Sequence, residues 1–193
     1  MGYSIDGKER YQQPTSGLHD RFRPLIDYNQ PKDIKYFVET CWPQYNSISE
    51  DRKLPAVIDT LLIPDIKNLP LEVRLATLFI AVENLKTTYA EKVAGYTFKR
   101  SHFYDGGNSK GFKALVTEML AHEGMGSADK IKELTDLRNI VIHTGLTTMT
   151  PSDMFRKYAE YKDLISEYIF KIMNYDGSFA LYSARGTQFK DLS

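Results

Sequence analysis

The sequence predicts an all-α protein: an antiparallel, up-and-down four-helix bundle with extra helices before it and a short strand or hairpin after it. Three observations carry that prediction. Apolar residues recur at threes and fours through four segments between Leu71 and Ile172. Turn-forming Gly, Pro and Ser separate these segments. Short to moderate connections between long helices make neighbours antiparallel.

Residues 1–30 mix Gln, Pro, Ser, Gly and Asp with isolated aromatics and show no period, which reads as an irregular N-terminal arm. Residues 31–193 read as one helical domain with its bundle core over about 69–175. Met1-Gly2 stands directly before ordinary polar sequence, so the chain also reads as the C-terminal part of a longer protein. Two apolar clusters, Ile34-Tyr36-Phe37-Val38 and Leu54-Val57-Ile58-Leu61-Leu62, predict two short helices between Pro31 and Ile63. Pro64 and Pro70 delimit the next element, because proline fixes its own φ and disfavours helix in the residue before it.

The strongest helix begins after Pro70, with Leu71, Leu75, Leu78, Phe79, Val82, Leu85 and Tyr89 on one stripe. "YTFKRSHFYDGGNSKG" reads as a polar and aromatic connection, with a turn at Asp105-Gly106-Gly107-Asn108. A second helix spans about Gly111 to His122. A third begins after Ser127 as N-cap, carries Ile131, Leu134, Leu137 and Val141, and stops at Gly145. Pro151 and Ser152 open the last, whose Met154, Phe155, Tyr158, Tyr161, Ile165, Tyr168 and Ile172 give a broad apolar face. Asp176-Gly177 then marks a turn before a weakly alternating tail.

Composition narrows the function. Lys and Arg number 25 and Asp and Glu 25, so no global field draws the protein to nucleic acid or anionic membrane, and any RNA contact is local. The single cysteine, Cys41, excludes an internal disulfide framework and fits a reducing compartment. The N-terminal stretch has no apolar core of signal-peptide length, and no segment approaches the roughly 20 apolar residues of a membrane span. A cytoplasmic protein with no membrane partner is the expectation. Thirteen Tyr and ten Phe read as packing residues rather than a stacking platform.

The histidines are His19, His102, His122 and His143, and no two stand at metal-ligand spacing. No metal and no cofactor are expected. "DGGNSKG" is glycine-rich but does not match the order of a phosphate-binding loop, since Lys110 precedes Gly111 and Phe112 rather than a hydroxyl residue.

"LTDLRNIVIHTGL", Leu134 to Leu146, differs in kind. At roughly 100° per residue, Asn139 and His143 share one helix face, whereas Arg138 and His143 diverge by roughly 140°. Arg138 must reach round, or the helix must end between them, and Gly145 and Pro151 favour such an ending. These residue types suit cleavage of RNA. A neutral His can take the proton from a ribose 2′-hydroxyl, and an Arg can hold phosphate oxygens as charge builds. Histidine's ordinary pKa of about 6.5 leaves a neutral fraction near neutral pH. The amide of Asn139 can orient either partner. Spacing alone also fits a plainer role, in which Arg138 and His143 stabilise the negative end of a helix and Asn139 is solvated.

"LRNIVIHTG", set between two long helices, resembles the signature of HEPN domains, the nucleotide-binding and ribonuclease family of higher eukaryotes and prokaryotes. That signature is an Arg, a polar residue next, and a His about four to six positions after the Arg; Arg138, Asn139 and His143 meet it. "ATLFIAVENL" and "IMNYDGSF" are similar to flanking segments of the Apea-like branch. The likeness covers roughly Leu69 to Ser183. It implies a helical bundle, a homodimer whose two motifs meet in a composite cleft, and metal-independent endoribonuclease activity, in settings such as antiphage defence by abortive infection or toxin systems under a regulatory domain or protein partner. A second subunit also removes the angular problem, because an Arg from one protomer can act beside a His from the other. Glu83, within Phe79-Ile80-Ala81-Val82-Glu83-Asn84-Leu85, is a candidate third polar group to orient Arg138 or His143, and equally a structurally paired or exposed Glu. The alternative functions are a noncatalytic HEPN module that binds nucleotide or RNA and mediates dimerisation, and a purely structural helical adaptor.

Overall fold

The order of elements is set by where prolines, glycines and caps stop each helix. In the computed structural model, residues 25–26, 31–65, 69–145, 147–184 and 188–192 are described. The arm expected over 1–30 therefore lies outside the described residues, except for Leu25 and Ile26. The described residues form helices α1 (Pro31–Ile48), α2 (Leu54–Leu62), α3 (Leu71–Lys92), α4 (Phe112–His122), α5 (Ala128–Thr144) and α6 (Pro151–Ile172), with strands β1 (Thr97–Lys99), β2 (His102–Asp105), β3 (Asn108–Lys110), β4 (Ser178–Ala180) and β5 (Phe189–Asp191). The protein is mostly helical. Among the described residues no helix is long and apolar enough to cross a membrane.

Two expectations need correction. The first of the two "short" helices is an 18-residue α1 that runs through Pro43, because its inner side finds partners: Phe37 packs edge-on against Phe170 and Tyr175, and Cys41 is buried. Burial pushes the Cys41 thiol up to about 12, so this cysteine behaves as a small apolar residue. The second correction concerns the connection after α3. It folds as an antiparallel meander in the order β1-β2-β3, with Lys99 opposite His102 and Asp105 opposite Asn108. Phe103 of β2 is buried beside Ala90 and Leu115, and that burial anchors an otherwise exposed sheet.

Helix α3 is the axis of the fold, packing against α2, α4, α5 and α6. Its surroundings explain why burial extends beyond the predicted stripe. Leu75, Leu78, Phe79, Val82 and Leu85 are buried, and so are Arg74, Thr77 and Thr88. Arg74 Nε donates to the Leu69 carbonyl at 3.1 Å, and Thr77 and Thr88 donate to α3's own carbonyls, so these polar groups are satisfied as burial requires. Arg52 ties the α1–α2 turn into the same core through Tyr168 Oη at 2.7 Å and Thr88 Oγ1 at 3.3 Å.

Helix ends match the sequence closely where chemistry is local. Gly145 closes α5 at φ 68°, with its N–H on the Val141 carbonyl, a left-handed position that glycine adopts without a steric penalty. Thr150, just before Pro151, caps α6 by accepting the Asp153 N–H at 3.2 Å. After α6 the chain turns and pairs β4 with β5 antiparallel, the predicted C-terminal hairpin. Asp163 of α6 fastens this tail by accepting the N–H groups of Tyr182 and Ser183 at 2.6 and 2.9 Å.

Candidate functional site

The RN…H segment lies on the second half of α5, whose apolar side, Ile131, Leu134, Leu137 and Val141, is buried. That side sets the rotation of the helix. With those residues facing the core, Arg138 falls at the boundary between core and solvent, and Asn139 and His143 point outward. The helix continues through His143 to Thr144, so the expected ending between Arg138 and His143 does not occur. The physical reason is the Gly145 cap, which places the stop after His143 rather than before it. The roughly 140° separation of an uninterrupted helix therefore stands.

Arg138 is held on several sides. Its Nη2 donates to Glu83 Oε1 of α3 at 2.6 Å, and its Nη1 donates to Asn139 Oδ1 at 3.0 Å. The guanidinium carbon lies 5.0 Å from the centre of the Phe112 ring. Glu83 is shared: its other oxygen takes Lys86 Nζ at 2.7 Å, and Lys86 also lies 5.4 Å from the Phe112 ring centre. Two cations thus face one carboxylate, which leaves a local excess of positive charge. The Arg138 side chain is 21% exposed and that of Glu83 33%, so solvent weakens their attraction but does not abolish it. The Arg138 Nε–H is buried without a partner among the described residues.

Glu83, Arg138 and Asn139 are therefore brought together, and His143 is not. The imidazole is exposed, and no hydrogen bond, ion pair or ring contact holds it among the described residues. Sequence reading missed Lys86 and Phe112. Lys86 carried a signal, since it stands one helical turn after Glu83 and pairs at that spacing are neighbours. Phe112 carried none, because it reaches Arg138 only through the packing of α4 on α3 and α5.

A shallow groove runs between α5 and residues 147–149, lined in part by Asp129, Lys132, Glu133, Asp136 and Ile140. None of the four candidate residues lines it, and its mixed charge offers no phosphate cradle. Among the described residues no three His, Cys, Asp or Glu side chains converge as a metal site. No family model matches the chain, and no curated protein or solved structure is significantly similar to it.

Proposed function

We propose that the protein is a metal-independent endoribonuclease of the HEPN type, in which α3–α6 form the up-and-down four-helix bundle and two copies join to complete each site. His143 removes the 2′-hydroxyl proton. The freed oxygen attacks the adjacent phosphorus, the bond to the 5′-oxygen breaks and that oxygen takes a proton from water, while His143 returns its proton to solvent; the products are a 2′,3′-cyclic phosphate and a 5′-hydroxyl. Arg138 holds the phosphate oxygens as charge builds on them, with Asn139 and Glu83 fixing the guanidinium. A cytoplasmic role in antiphage defence or a toxin system, under a regulatory domain or partner, accompanies this reading.

The observation that carries it is the Glu83–Arg138–Asn139 chain, with His143 exposed and unengaged further along the same helix. A cation is oriented and an imidazole is left free. Exposed Ile140 (47%) and Ile142 (42%) support the dimer: by helical angle they flank the Asn139–His143 face, one on either side, and apolar surface beside a polar motif favours a second subunit there.

The test is incubation of the purified protein with mixed RNAs in EDTA, with product ends mapped by phosphatase sensitivity, beside His143→Ala. Cleavage to cyclic-phosphate ends that disappears in the variant is expected; undiminished cleavage by His143→Ala would overturn the assignment. The second reading, a noncatalytic module that binds RNA or nucleotide, is favoured by the hydrogen bonds that already occupy part of Arg138. Tight RNA binding without turnover, lost in Arg138→Ala, would establish it instead.

A further inference from the structure

The meander β1–β3 concentrates positive charge that the fold does not use. Among the described residues, most exposed cations elsewhere are neutralised locally, as Lys132 is by Asp136 and Arg156 by Asp153 and Glu160, with Lys53 and Lys130 as scattered exceptions. Within the meander Lys110 is likewise spent on Glu118 at 2.7 Å and Asp105 at 3.3 Å. Lys99, Arg100 and Lys113 are different: all three are exposed, and none of their side chains has an ion pair among the described residues.

Two of them also stand where they cost stability. Arg100 and Ser101 form the two-residue turn between β1 and β2, at φ 49° and 64°. Such a turn favours Asn-Gly, since side chains beyond these are strained at positive φ. Lys113 lies in the first turn of α4 (Phe112–His122), the positive end of the helix dipole, where a cation is disfavoured.

Pleating sorts the meander's side chains into two faces. Phe103 turns inward and is buried, and Lys110, its cross-strand partner, lies on the same side. The outer face then carries Lys99, His102 and Tyr104, with Arg100 at the adjoining tip. Cations that track phosphates beside an aromatic ring that stacks bases are the elements of a single-strand binding surface. The position of this surface matters as much. Gly111 alone separates β3 from Phe112, the ring beneath Arg138.

We propose that the outer face of the meander, through Lys99, Arg100 and Tyr104, together with Lys113 in the adjoining first turn of α4, binds single-stranded RNA and leads its phosphate backbone to Arg138. This rests on the ribonuclease reading for what happens to the strand, but not for its binding. Complementarity of charge selects the occupant: unpaired cations meet a polyanion, and the chain as a whole, with 25 basic and 25 acidic residues, supplies no competing global field.

The test is fluorescence anisotropy with a labelled, 2′-O-methylated single-stranded RNA, which no 2′-hydroxyl attack can cut. The double variant Lys99→Glu/Arg100→Glu is expected to raise Kd at least tenfold at physiological salt, and to lower the slope of log K against log salt by about 1.4, the effect of roughly two phosphate contacts. Tyr104→Ser is expected to weaken binding about fivefold through lost stacking. Arg100→Asn/Ser101→Gly, which improves the turn, should bind more weakly while unfolding at a higher temperature, and so separates recognition from folding. Wild-type affinity in the double variant would overturn the proposal, as would wild-type binding to phosphatidylserine vesicles with none to RNA. Cleavage of unmethylated RNA is scored separately. Meander-dependent binding without cleavage removes the ribonuclease reading and keeps this surface; cleavage with unchanged affinity in the double variant does the reverse.

Discussion

Arg138 and His143 share one helix and one motif, yet their environments are opposite. Arg138 is mostly buried and is engaged by Glu83, Asn139 and Phe112, whereas His143 is exposed and unengaged. The arginine is part of the architecture that holds α5 on α3; the histidine is presented by that architecture. On the proposed ribonuclease reading, a loss of cleavage on replacing Arg138 would therefore mix folding with chemistry, and His143 is the residue of the two that would report chemistry alone.

The largest expected effect sharpens that contrast. His143→Ala should lower RNA cleavage by about 10²–10⁴-fold, the usual contribution of a positioned acid or base, while its urea midpoint corresponds to a change within about 0.5 kcal/mol, as for an ordinary surface substitution. A clear loss of stability in this variant would break the comparison. Next in size is Arg138→Ala. Removing it strands Glu83 with Lys86 alone and deletes a charge-assisted interhelix bond, which costs about 2 kcal/mol after allowance for partial exposure; urea denaturation reads it, and an unchanged midpoint would mean that the bond contributes nothing to the fold.

Phe112→Leu keeps most of the apolar volume but removes the ring beneath Arg138 and Lys86. About 1 kcal/mol of stability should go with the lost cation–π contact, together with weaker cleavage as the guanidinium loosens. Equal stability and activity would show that the ring is filler. The smallest effect concerns a second unmet buried group, Tyr161 Oη, which has no partner among the described residues. Burial raises the hydroxyl's pKa and keeps it neutral. Tyr161→Phe should be neutral or stabilise by up to about 1 kcal/mol, measured by thermal unfolding, and destabilisation would show that the hydroxyl is used.

Much of the architecture is legible in the sequence, for reasons that differ by element. The helices from Leu71 onward announce themselves because each has a buried face with helical spacing, and Gly145 and Asp176-Gly177 are punctuation that acts locally. The length of α1 is not legible: Pro43 argues for a break, and only the packing of Phe37 and Cys41 against the core overrides it. The meander escapes sequence reading because strands of three or four residues are too short to show alternation, although Gly106-Gly107, with both φ values positive, is a hairpin signal in its own right. At the site, residue types and helical angles locate the motif, and the family resemblance offers Glu83 as a candidate to orient Arg138 or His143, and equally as a structurally paired or exposed Glu. They cannot reveal Phe112, nor that the Gly145 cap carries the helix past His143 and leaves the two key groups apart.

That separation makes the central claim testable by mixing. His143→Ala and Arg138→Gln are purified, shown by light scattering to dimerise, combined under conditions that exchange subunits, and assayed on RNA in EDTA. If each site takes its arginine from one protomer and its histidine from the other, every heterodimer regains one intact site, and cleavage returns in a mixture of two inactive proteins. A mixture as inactive as its components, with heterodimers present by native mass measurement, would contradict the composite site.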